Sequence, residues 1–211
     1  MRALTRMLVA SVALVGVTGC ATSIAYRADY VPETNIAADE RIDGRILVYT
    51  SQADDERLVT AGATSFTASG SKLTTPIGMM VREIALKIFS AAATEGAAHS
   101  HDLAGAAGYS AVVRPEGKEF RYGFPQLKNL GFAITPEVDV SLRLSVLDGQ
   151  GNLLLEKEYA SGVVEGKSYM MSGKPYERIS QLTHQTIHAL LLQAVGDVRA
   201  FQRSRSPDRT P

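Results

Sequence analysis

Ser69-Gly70-Ser71-Lys72 places a lysine three residues after a serine, the spacing at which an amine one helical turn away can take a serine proton and make a nucleophile. The match stands before a predicted helix and beside a glycine, and the chain has neither the Ser-Asp-Asn nor the Lys-Thr-Gly sequence that accompanies such a site. Gly162-Val163-Val164-Glu165-Gly166-Lys167-Ser168 has the look of a phosphate loop, but three residues separate its glycines where four are required. His184 and His188 stand four apart on a predicted helix, a spacing that can put two imidazoles on one metal, yet no glutamate accompanies them. At the rim of that helix's apolar stripe they read as packed rings with a wet edge. His99-Ser100-His101-Asp102 lies in a small-residue loop that could bind a metal adventitiously, though it reads first as a solvated loop, and Asp54-Asp55-Glu56 reads as a solvated turn without a proton-accepting partner. No nucleophile, base and orienting group can be assembled from these residues. The expectation is a non-enzyme with no metal and no cofactor.

One reactive side chain remains. Cys20 is the sole cysteine and closes Val17-Thr18-Gly19-Cys20, a pattern similar to a bacterial lipobox. Arg2 and Arg6 supply a positive n-region, Met7 to Val17 a short apolar core, and Thr18 and Gly19 the small residues at which a signal peptidase cuts. That core is about half of the roughly 20 residues a spanning helix needs. In the lipoprotein class this resembles, cleavage between Gly19 and Cys20 leaves an N-terminal cysteine carrying diacylglycerol on sulfur and a further acyl chain, such as palmitate, on nitrogen. More than one chain gives stable anchoring, because a single acyl chain binds reversibly. With Cys20 acylated, no thiol is left for a disulfide or a thiolate metal site, so the fold must stand on its apolar core. Ala21 rather than aspartate follows the cysteine, which by resemblance to enterobacterial sorting directs the protein to the outer membrane, facing the periplasm; the outer leaflet of the inner membrane is the alternative.

Removing residues 1–19 from the 211 leaves 192, enough for one domain with a sizeable core. The 22 basic residues match 22 acidic ones, and loss of Arg2 and Arg6 leaves 20 against 22. Near-neutrality argues against nucleic acid. Residues 20–41, with Pro32, several acids and no sustained apolar period, read as the lipidated N-terminus and a tether, part of which lies against the fold through Ile24, Tyr26, Tyr30 and Val31. The domain spans 42–202. It opens on a strand, Arg45-Ile46-Leu47-Val48-Tyr49-Thr50. A weaker strand is expected near Ser65-Phe66-Thr67-Ala68. Thr75-Pro76 then marks a helix start, with Thr75 capping, and Ile77, Val81, Ile84, Ile88 and Ala91 recur at helical spacing. Ser90 to Gly108 reads as a loop or frayed helical extension. Tyr109–Arg114 and Glu119–Phe124 suggest a hairpin turning at Pro115-Glu116-Gly117-Lys118.

The clearest pattern is Val138, Val140, Leu142, Leu144 and Val146 alternating with Asp139, Ser141, Arg143 and Ser145, a strand with one buried face. Asp148-Gly149-Gln150-Gly151-Asn152 turns the chain and Leu153 to Glu165 returns. From about Lys174 to Phe201 a second amphipathic helix follows, and residues 203–211 read as a disordered basic tail. The fold class is α+β: an antiparallel sheet with two amphipathic helices packed on one face.

The lipobox, the strand entering Asp148–Asn152, the return strand ending near Val163-Val164-Glu165-Gly166 and the closing helix together resemble the YajG-type family of small bacterial envelope lipoproteins. More loosely, they resemble the auxiliary lipoproteins of envelope transport machines. The resemblance covers the anchor and roughly residues 137–200, transfers only Cys20 as a functional residue, and implies an envelope protein without a catalytic site. Tyr169-Met170-Met171, between two glycines, is the expected partner-binding segment, since exposed aromatic and methionine side chains adapt at interfaces. The function expected is a lipid-anchored accessory or binding module in envelope assembly or transport, with the membrane and an envelope protein as partners. The alternative is a lipid or small-molecule carrier with an apolar pocket lined by Ile84, Ile88, Leu142 and Leu144.

Overall fold

The β-branched run Ile46–Tyr49 and the alternating run Glu137–Leu147 are the strongest strand formers in the chain, and both lie inside one five-stranded sheet. The computed structural model describes residues 21–65, 68, 70–125, 133–170 and 174–205. In chain order its elements are β1 (Ala21–Ser23), β2 (Ile46–Tyr49), α1 (Gln52–Asp55), β3 (Val59–Gly62), β4 (Lys72–Thr75), α2 (Ile77–Ala92), β5 (Ala97–Ser100), β6 (Ala111–Gly123), β7 (Ala133–Ile134), β8 (Glu137–Leu147), β9 (Leu153–Glu165), β10 (Tyr169–Met170) and α3 (Pro175–Arg205). The main sheet runs β5-β2-β6-β8-β9, with smaller sheets β1-β4-β3 and β10-β7.

The class is α+β, but the sheet is mixed rather than antiparallel. β2 runs parallel to both β5 and β6, while β6, β8 and β9 are antiparallel neighbours. Parallel neighbours need a crossover, and α2 supplies it between β2 and β5. On β8 the five alternating apolar residues are all buried, as the period of two requires. They join Ile46, Val48, Ile84, Ile88, Phe89, Ile187 and Leu191 in one core. α2 packs on β2, β5 and β6, α3 on β8 and β9, and the two helices on each other. Tyr159 of β9 donates its hydroxyl to Asp197 of α3 at 2.7 Å, where Lys157 also pairs at 2.8 Å.

Several sequence expectations are corrected. The hairpin expected at Pro115–Lys118 is instead the middle of one 13-residue strand, β6, with a register shift between Gly117 and Glu119. Pairing with β2 ends at Val113, so around Pro115 the strand is paired through β8, and a residue lacking an amide proton is tolerated on a one-sided stretch. β5 replaces the expected loop, its Ala-Ala-His-Ser backbone held by pairing with β2 rather than by side-chain propensity. Of the weak strand expected at 65–68, Phe66 and Thr67 lie outside the described residues, as does Ser69; the strands in that region are β3 and β4. Helix α2 starts where expected, but Thr75 belongs to β4 and does not cap it. α3 continues through Arg203 to Arg205, and residues 206–211 lie outside the described residues.

Candidate functional site

Three groups of residues bear on function. The first is the segment singled out from sequence. Cys20 and Gly19 lie outside the described residues, as does Met171. Tyr169 and Met170 form β10 against Ile134 and Ala133 of β7. Met170 is 65% exposed, as a docking side chain must be. Tyr169 is half-buried, its hydroxyl buried without a partner among the described residues and its ionisation pushed up by that burial.

The second group is the histidine pair of α3. His184 and His188 are not at a wet rim; both are buried. What covers them is the stretch before β2, whose Ile24 and Val31 join the core. The His184 Nδ1 lies 2.7 Å from the Ser180 carbonyl oxygen, so it carries the proton and donates, while Nε2 accepts the Arg27 backbone N–H at 2.9 Å. Tyr26 and Tyr30 pack on the ring with centroids at 5.5 and 5.6 Å, and Tyr30 donates its hydroxyl to Glu177 at 3.0 Å. One turn on, His188 Nε2 sits 2.9 Å from Thr34 Oγ1. Burial pushes both imidazoles below their ordinary value, for His188 with help from Lys87. The i,i+4 spacing therefore serves to dock a segment about 150 residues away in sequence, with each ring hydrogen-bonded to it through Nε2.

The third group unites two stretches that look unrelated in the sequence, Asp54-Asp55-Glu56 and His99-Ser100-His101-Asp102. Asp54 and Asp55 are not a solvated turn but the end of α1, whose first turn is closed by a capping box between Ser51 and Asp54. Burial alone would raise the Asp54 carboxyl, yet hydrogen bonds from Ser51 and Arg114 take it below its ordinary value. Arg114 reaches Asp54 Oδ2 at 2.9 Å. The neighbouring Asp55 is 10% exposed and faces Arg82 of α2 at 2.7 Å and His101 Nε2 at 3.6 Å, with His99 Nε2 at 4.0 Å. His99 lies on β5 rather than in a loop, and its ring meets that of His101 edge to face with centroids 4.6 Å apart. Thr50, at the end of β2, holds both rings: its hydroxyl is 2.8 Å from His99 Nε2 and its carbonyl oxygen 3.0 Å from His101 Nδ1. The histidines could be flagged from sequence, but the parallel β2–β5 pairing that delivers them to Asp55 could not.

A pocket of about 990 Å³ opens elsewhere. It lies between Arg41, Asp43, Tyr109, Asp148, Arg199 and Arg203, a mixed-charge surface cleft. Ile84, Ile88, Leu142 and Leu144, the expected lining of an apolar carrier cavity, are instead packed in the core.

No protein-family model matches this sequence, and no curated protein matches it. Among solved structures the chain is similar to a protein from Helicobacter pylori described as a neuraminyllactose-binding hemagglutinin homolog, at 7% identity over 87% of this chain and 97% of that one, with a TM-score of 0.47. It is also similar to dodecameric PelC from Paraburkholderia phytofirmans (13% identity, 80% and 96% of the two chains, TM-score 0.40) and to a minor lipoprotein from Acinetobacter baumannii (14%, 74% and 91%, TM-score 0.35). At these identities and scores none of them assigns a family or a role to this chain.

Proposed function

We propose that this is a lipid-anchored envelope protein whose periplasmic domain is a non-enzymatic binding or accessory module, attached through Cys20 to the outer membrane. The observation that carries the reading is Val17-Thr18-Gly19-Cys20 at the end of a short leader, with a single cysteine available for acylation. Among the described residues no helix is long and apolar enough to cross a membrane. A module rather than a carrier is favoured by the packed core, in which Ile84, Ile88, Leu142 and Leu144 are all at or below 2% exposure. A bound lipid would need that volume empty. Met170, exposed beside the partly buried Tyr169, is the candidate contact for an envelope protein partner.

Metabolic labelling with an alkyne fatty acid tests the anchor. Label should enter the wild-type protein and be lost from Cys20→Ser, because both acyl transfer and the lipoprotein-specific cleavage require that sulfur. Labelling of the serine variant at the wild-type level overturns the reading. A photo-crosslinking residue at position 170 in intact cells tests the module: a discrete adduct that is absent when the probe replaces exposed Leu58 supports it, and identical adducts from both positions refute it.

A further inference from the structure

We propose that Asp55, His99 and His101 form a binding site for a divalent transition-metal ion, with Zn²⁺ the ion that fits the donor set. Two imidazoles and one carboxylate, each offering a ligand atom, lie with those atoms all within 4.8 Å of one another. A tetrahedral zinc with bonds of about 2 Å spaces its donors about 3.3 Å apart, so the 3.6 and 4.0 Å from His101 and His99 Nε2 to Asp55 Oδ2, in a cluster whose donors all lie within 4.8 Å, close on an ion by side-chain rotation.

Four independent features prepare the cluster for a cation. First, Asp55 is nine-tenths buried; its Oδ2, which faces both imidazoles, is also held by Arg82, while its Oδ1 has no hydrogen-bond partner among the described residues and comes to an ion by rotation of the carboxylate. A buried carboxylate oxygen left unpaired is costly, and a metal ion is one group that satisfies it. Second, the tautomer of His101 is set. A carbonyl oxygen can only accept, so Nδ1 donates to Thr50 and leaves the lone pair on Nε2, the nitrogen that faces Asp55. This backbone hydrogen bond to the non-ligating nitrogen is how metal-bound imidazoles are commonly oriented. Third, the His99 Nε2 is hydrogen-bonded to the neutral Thr50 hydroxyl at 2.8 Å, a partner that an ion can displace. Fourth, the charges favour a cation. Arg82 sits between Asp55 at 2.7 Å and Glu83 at 2.6 Å, so one guanidinium is shared by two carboxylates and the cluster keeps an excess negative charge. Arg82 would then act as the outer partner that orients Asp55 rather than as its neutraliser.

Three protein ligands leave a fourth position, open to water or to a donor from a bound partner. The ion would bridge α1 to β5, the edge strand of the main sheet, and to His101 just beyond its end.

Titration of the purified full chain in detergent with ZnCl₂, followed by calorimetry and by thermal melting, tests this. One equivalent should bind with a micromolar or tighter Kd, and saturation should raise Tm, since an ion that binds only the folded state stabilises it. His101 is half-exposed, so His101→Ala should fold normally and weaken binding by at least tenfold, with Asp55→Asn weakening it further. His188→Gln, on the far histidine pair, should leave the Kd unchanged. Absence of stoichiometric binding overturns the proposal, as does a Kd that is indifferent to His101→Ala. Binding of Cu²⁺ or Ni²⁺ without binding of Zn²⁺ overturns the assignment of the ion.

Discussion

His184 has both ring nitrogens committed, one to the Ser180 carbonyl and one to the Arg27 amide, and only the neutral tautomer can serve both. Its ordinary value is 6.5 and burial holds the folded ring below it. Above 6.5 the ring is neutral folded and unfolded, and its contribution to stability is whole. As pH falls below 6.5 the unfolded chain takes up a proton that the folded chain resists, so stability declines until the lowered folded value is passed. Melting temperature should therefore fall between pH 7 and pH 5, and fall less steeply in His184→Gln. Equal slopes in the two proteins would assign the acid sensitivity elsewhere, with His188 first in line. Gly78 makes a second residue-scale demand: a Cβ there would overlap the backbone oxygen of Asp54, so α2 can approach α1 only at a glycine. Gly78→Ala should cost about 1–3 kcal/mol in urea denaturation and shift α1, carrying Asp55 away from the histidines. Neither constraint is written in a local pattern. Periodicity placed His184 on the margin of an apolar stripe because its cover comes from the other end of the chain.

Strands with strict alternation were legible, and those made by their neighbours were not. The β8–β9 hairpin is where the sequence puts it, because a period of two over eleven residues has one structural solution and Asp148 closes the turn by accepting the Gln150 and Asn152 amides. Side-chain and backbone hydrogen bonds from Asn152 in turn hold the Asp148 carboxyl below its ordinary value. β5 has no strand-forming residue and exists through its pairing with β2, while β6 passes through a turn-like composition because β8 offers it a continuous ladder. The register makes a paired prediction. Leu144→Asp puts an unpaired charge in the core and should cost roughly 3 kcal/mol or more, with loss of cooperative melting. Ser141→Lys, on the other face and directly opposite Glu119, should leave stability within about 0.5 kcal/mol. Ser145, by contrast, is buried against Glu156 and is no neutral site for an acid. Indistinguishable melting of the Leu144 and Ser141 variants would contradict the register.

At the scale of the whole molecule, the stretch before β2 belongs to the body of the protein. β1 pairs with β4, Ile24 and Val31 are buried, and Lys87 of α2 donates to the Val31 carbonyl. A protein that begins at Ile36 should consequently melt several degrees below one that begins at Ala21, and its α3 histidines should titrate near their ordinary value by NMR. Unchanged melting would show that the stretch merely rests on the surface. The site at Asp55 was half legible: the reactive residue types stood out, whereas their convergence depends on a parallel pairing and on a four-residue helix that no periodic signal announces. One consequence follows from where β1 starts. A loose leash of some twenty residues would let a domain wander up to about 70 Å from its acyl chains. Here the first residue after Cys20 is already in a strand, leaving roughly one residue of slack, about 3.5 Å. On the anchor proposed at Cys20, a protein moored so short would not search the periplasm for its partner; it would ride against the bilayer, and whatever it binds would come down to the lipid surface to meet it.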